Sequence, residues 1–161
     1  MPIIVEAVAT DGFLEWLPKY LGGVGTGAWV PTPLSFAVGT GGWFDPGTSV
    51  LRPAIPDPSR TALAKLPPPG SPYLIPGWAT TKLLAAPDFA YTSPGILETT
   101  CFLNFAEGNA AGNIDYWEIG LFGAAAPGTV IPLMLVYGTF PKVTKSIAVT
   151  RQFIVRTRFA R

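Results

Sequence analysis

Trp117-Glu118-Ile119-Gly120-Leu121-Phe122, followed past Pro127-Gly128 by Tyr137-Gly138-Thr139-Phe140-Pro141-Lys142-Val143-Thr144-Lys145, reads as two strands joined by a turn. Trp117, Ile119 and Leu121 alternate onto one face, the period expected of a half-buried strand. Leu133–Phe140 forms the body of the return strand. Residues 119–141 carry no charge, a length that would span a bilayer as a helix. Pro127, Pro132, Gly123, Gly128 and Gly138 interrupt any such helix, so the segment is a hairpin and no membrane span is predicted.

Working outward, the same reading recurs. Leu97–Phe105 alternates Leu97, Thr99, Cys101, Leu103 and Phe105 against Glu98, Thr100 and Asn104. Ile147–Phe159 puts Ile147, Val149, Phe153, Val155 and Phe159 in register, with Arg151 interrupting that face. Shorter strands are expected at Leu34–Val38, Lys82–Leu84 and Phe89–Tyr91, and Pro2–Val5 reads as a strand or a docking arm. Asp11 is placed to cap a short helix carrying Phe13, Leu14 and Leu17. Gly39-Thr40-Gly41-Gly42-Trp43 breaks the strand before it. Nine of the 18 prolines fall within 44–80, among apolar residues that recur throughout, so this is a long ordered loop and not a linker.

The predicted fold is mainly β: an antiparallel β-sandwich or small barrel with a short N-terminal helix and a long proline-rich loop. Residues 1–33 form an N-terminal arm, and 34–161 a single domain that includes loop 44–80. Removing part of that loop is expected to leave the sandwich folded.

The 161 residues are 48% hydrophobic and only 13% charged, about half the usual charged share. Such a surface is expected to be covered by neighbours. Residues 1–118 hold five basic and ten acidic side chains, whereas 119–161 hold six basic and none acidic. Head-to-tail contact between copies, or with an acidic neighbour, follows more readily than nucleic-acid binding, since no base-stacking motif accompanies the basic segment. Cys101 is the only cysteine, which rules out an intrachain disulfide and fits assembly in a reducing cytoplasm.

Two motifs carry a resemblance. The run Glu118-Ile-Gly-Leu-Phe122 with Gly138-Thr-Phe-Pro-Lys142 and Thr144-Lys145 is similar to a segment of tailed-bacteriophage structural proteins, especially tail-fibre anchor and baseplate-associated modules. The Gly39–Trp43 run and the strand Glu98–Asn109 resemble the segments found upstream in those proteins. The turn at 123–128 departs from them, being longer and uncharged. The resemblance implies a non-enzymatic structural protein of a tailed phage: a tail component, baseplate or fibre-attachment adaptor, assembled into the virion in the host cytoplasm. Its partners would be copies of itself and neighbouring virion proteins. The alternatives are a carbohydrate-binding or host-adhesion module contacting a surface glycan, and a capsid decoration protein.

Chemistry is sparse. With no histidine, the usual triads, dyads and most zinc sites are excluded. Gly23–Ala28 matches a dinucleotide fingerprint in letters only, because no strand precedes it. Asp115 with Glu118, or Glu98 with Glu107, are the carboxylate pairs considered for glycoside cleavage; neither shows convergence in sequence. No enzyme activity, cofactor or metal is predicted. Trp29, Trp43 and Trp78, in glycine- or proline-rich loops, are the interface anchors expected, with Arg156 and Arg158 pointing outward on the last strand. Arg151, on an apolar face, requires a partner, and Glu118 is the one expected.

Overall fold

The computed structural model describes residues 1–15, 35–65, 82–85, 88–105, 107–108, 112–125 and 132–159. Ten strands are present among them: β1 (Ile3–Ala9), β2 (Ser35–Gly39), β3 (Trp43–Phe44), β4 (Arg52–Pro53), β5 (Lys82–Leu83), β6 (Phe89–Ser93), β7 (Ile96–Leu103), β8 (Ile114–Ala125), β9 (Pro132–Lys145) and β10 (Arg151–Arg158). Eight of them make one curled sheet, a half-barrel, in the order β5-β2-β8-β9-β1-β10-β7-β6; β3 and β4 pair separately. The mainly β architecture expected from the sequence is the one observed, as is the β8–β9 hairpin.

One pairing is not antiparallel. β1 lies between β9 and β10 and runs parallel to β10, with Ile3 opposite Phe153 and Val8 opposite Arg158. The segment read as the start of an arm is thus a central strand. Its Val5, Ala7 and Ala9 point into the core while Ile4 and Glu6 face out. Gly138 of β9 is required here: a Cβ would stand 2.7 Å from Val5 Cγ1 and 3.0 Å from Ala7 Cβ.

The concave face holds the main core, built from Val5, Phe36, Cys101, Ile119, Leu135 and Phe153 with their neighbours. Phe140 and Phe153 meet at 5.1 Å between ring centroids. A helical turn over residues 11–15 closes one side of the core, with Phe13 edge-on to Phe159 at 5.7 Å. Its cap is Thr10, not Asp11: the Phe13 amide donates to Thr10 Oγ1 and the Leu14 amide to Thr10 O. Residues 16–34, including Leu17 and Trp29, lie outside the described residues.

The curl is held at its rim by a cation. Lys82, on the edge strand β5, donates to Phe102 O of β7 at 2.7 Å and to Glu107 at 2.6 Å. Burial pulls its pKa below the ordinary lysine value, and the Asp88 charge partly opposes this. At the other edge, Ser93-Pro94-Gly95-Ile96 links β6 to β7, with Gly95 at φ 78°, as a type II turn requires.

Two expectations about strand faces are corrected. In β8 the pairing with β9 shifts between Tyr116 and Glu118. Tyr116 therefore joins Ile119 and Leu121 in the concave core, and Trp117 does not. In the last strand, β10 starts at Arg151, so Ile147 lies in a turn and is 69% exposed.

Thr99 and Thr157 are fully buried on β7 and β10, and their hydroxyls have no hydrogen-bond partner. Such a hydroxyl carries a desolvation cost that a methyl group of the same shape does not. Thr99→Val and Thr157→Val should each raise the stability measured by denaturant unfolding, by roughly 1 kcal/mol; lowered midpoints would show that the hydroxyls are satisfied in solution.

Candidate interaction site

Glu118 is fully buried in β8, on the convex side of the sheet and opposite Gly39 of β2. Four donors surround its carboxylate. Oε1 accepts the amides of Gly41 at 3.1 Å and Lys65 at 2.9 Å; Oε2 accepts the amide of Ala64 and the Tyr137 hydroxyl, both at 2.8 Å. Burial, together with the hydrogen bond to Glu118 and its charge, pushes the Tyr137 hydroxyl well above the usual phenol range, so it remains a donor. A buried carboxylate is tolerated when its lone pairs are all met, and here backbone amides meet most of them.

The glycines of Gly39-Thr40-Gly41-Gly42 make room for this carboxylate. A Cβ at Gly41 would lie 2.7 Å from Lys65 N and 2.9 Å from Glu118 Oε1; one at Gly42 would lie 2.8 Å from Glu118 Cβ. Gly42 also sits at φ 77°, where side chains are strained. The two motifs singled out in the sequence are thus one device: the first wraps the acid that the second supplies.

What the device holds is the first part of the proline-rich loop. Residues 54–65 lie over the outer face of β2, β8 and β9. Leu63 packs with Ala37, Phe122, Met134 and Tyr137 in a second buried cluster. Arg60 stands over the Tyr137 ring at 5.7 Å. The Thr139 hydroxyl donates to Ala54 O, the Asp11 amide to Pro58 O, and the Thr40 amide to Lys65 O. The loop is therefore part of the fold, against the expectation that the sheet would stand without it. Residues 66–81, including Trp78, lie outside the described residues.

From this anchored base an arm projects. β3 and β4 pair Trp43 with Pro53 and Phe44 with Arg52. The connection bends where the Gly47 amide donates to Asp45 at 2.8 Å, with Gly47 at φ 81° and Ser49 at φ 60°. Trp43 and Phe44 are half exposed, Val50 is 64% and Ile55 90% exposed. The Trp43 indole donates to Thr40 O, so it is oriented, not loose. Between arm and hairpin runs an open groove of about 590 Å³. Val50, Leu51 and Pro53 form its arm side. Trp117, Pro141, Asp115 and Lys142 form the other, and the last two make an exposed ion pair at 3.4 Å.

The remaining sequence candidates fall elsewhere. Arg156 and Arg158 do point outward, and they pair within the chain. Arg156 bonds Glu98 at 2.7 Å, and Arg158 bonds Glu6 at 3.2 Å, across the strands on either side of β10. The pair expected between Glu118 and Arg151 does not form. Arg151 heads β10 and donates to Thr144 O through Nε and Nη2, satisfying its charge with carbonyls at the strand margin. The carboxylate pairs considered for hydrolysis are likewise engaged separately: Asp115 with Thr144 and Lys142, Glu98 with Arg156, and Glu107 with Lys82. Cys101 is buried, and burial raises its thiol far above the reactive range. No group of three or more potential metal ligands occurs among the described residues, and no helix there is long and apolar enough to cross a membrane.

No protein-family model matches the chain, and neither a curated protein nor a solved structure matches it significantly.

Glu118→Gln replaces one acceptor oxygen with an amide NH2 that faces donors. It should cost about 3 kcal/mol in urea unfolding. In limited proteolysis it should open residues 40–65 to cleavage before the sheet is lost. Arg151→Met, which removes no partner of Glu118, should leave that segment protected; equal cleavage of the two variants would refute the clamp.

Proposed function

We propose that this chain is a non-enzymatic structural protein of a tailed-phage virion, working through protein–protein contacts as a baseplate or fibre-attachment component of the tail. The observation that carries the reading is the exposed apolar arm 43–55, presented on a base that a saturated buried carboxylate holds rigid. Large exposed apolar side chains on an ordered element suit a surface that a neighbour covers. The low charge of the chain supports the same reading, as does the resemblance of the Glu118–Phe122 and Gly138–Lys142 motifs to phage tail modules. The fully buried carboxylate of Glu118 spends its oxygens on holding the fold together, which favours a scaffold over an acid catalyst.

Mass spectrometry of purified particles, with heads separated from tails, tests the assignment, and the chain should appear in the tail fraction. A Trp43→Ala, Ile55→Asp double variant should fold as the parent does but fail to enter particles. Particles that assemble with the variant and lose only adsorption to cells would favour the adhesion module instead.

A further inference from the structure

We infer that the cleft between β9 and β10 is a strand-binding site, and that β1, which fills it, exchanges between copies of this chain. The inference goes beyond the proposed function and does not rest on it.

The fold itself shows what fits the cleft. Ile3–Ala9 lies there, parallel to β10 over Ile3–Val8 and antiparallel to β9 over Ala7–Ala9. Gly138 leaves the notch that Val5 and Ala7 occupy, and Arg156 and Arg158 face Glu6. The ligand class is an extended segment with small apolar side chains at alternate positions and an acid on the outward face. Backbone bonds would hold such a segment and the alternate pockets would select it, as in other strand-addition sites.

The walls of the cleft have other neighbours. β9 pairs with β8 along the hairpin, and β10 pairs with β7 from Arg151–Leu103 to Arg158–Ile96. Both pairings survive when the cleft empties. β1 is lightly held by comparison. Its inward side chains are Val5, Ala7 and Ala9, two of them single methyl groups, and Ile4 is half exposed. Glu6 bonds Arg158 at 3.2 Å between side chains 54% and 69% exposed, an ion pair that salt screens. Thr10 donates to Met134 O and Phe13 enters the core, so the exchanging unit is residues 1–15.

Exchange keeps every one of these contacts, because the segment supplied by a second copy is identical. The swapped and unswapped forms then differ mainly in their connections, which makes swapping a low-cost route to joined copies. The sequence places residues 16–34 between the exchanging unit and β2. A chain of that length reaches up to about 60 Å when extended, enough to serve an adjacent copy.

Full chains with one added cysteine each provide the test. Ile4 and Ile154 are register partners. Ile4→Cys in one copy and Ile154→Cys in another, mixed one to one and oxidised mildly, should link into a heterodimer. The yield should exceed by roughly tenfold that of Ile4→Cys mixed with Ile147→Cys, an exposed site away from the cleft. Glu6→Gln, or raised salt, should speed the linking about threefold. Cys101 is buried and stays in place as the common background. Hydrogen exchange of the parent gives a readout independent of the thiols: amides of Ile3–Ala9 should exchange roughly tenfold faster than those of β8. A mixture that links no more than the control would overturn the inference, and so would β1 amides as slow as those of β8.

Discussion

A single carboxylate organises the convex side of this molecule. Glu118 reaches out of the central strand β8 and collects amides from both ends of a long excursion, Gly41 at its start and Ala64 and Lys65 at its finish. With Tyr137 added from the neighbouring strand, every strong acceptor position is used. The Thr139 hydroxyl of β9 adds a further tie at Ala54 O. The second apolar cluster beneath Leu63, the cation over Tyr137 and the geometry of the arm all depend on where that carboxylate holds the chain.

The dependence explains an otherwise puzzling composition. A stretch rich in proline and glycine has little regular secondary structure to hold it in place. Here proline limits the freedom of the unfolded chain, glycine lets backbone approach within hydrogen-bond distance of a buried acid, and the acid supplies the attraction. Removing any of the three leaves the other two costly: an unpaired buried charge, a clash, or an unsatisfied set of amides. The arm at 43–55 inherits its rigidity from this arrangement and needs little internal packing of its own.

Most of the sheet was legible in the sequence because period-2 alternation survives wherever one face is buried. Leu97–Leu103 and the body of the β8–β9 hairpin are cases in point. The failures have physical causes. Strict alternation puts Trp117 in the core, but a bulge that sequence does not mark turns it away. Arg151 needs no carboxylate, because at the strand's first residue a backbone carbonyl suffices. The partners of Glu118 were missed because backbone amides leave no side-chain signature. The usable hint was the pairing of a glycine run with an acid inside an apolar strand, since three glycines close together imply something that must come close. Of the anchors expected at an interface, Trp43 is indeed exposed and fixed.

The parallel pairing of β1 with β10 has a kinetic meaning. Ile3 and Phe153 are neighbours in space but are separated by nearly the whole chain, and β1 also separates β9 from β10 in the sheet. Ile3–Ala9 is made well before its partner strand Arg151–Arg158. The β8–β9 hairpin pairs strands adjacent in sequence and can form without β1. High contact order of this kind slows folding, because β1 must find its place between two strands distant in sequence. Until then the concave core lacks Val5, Ala7 and Ala9. That interval leaves an apolar trough open to whatever is near.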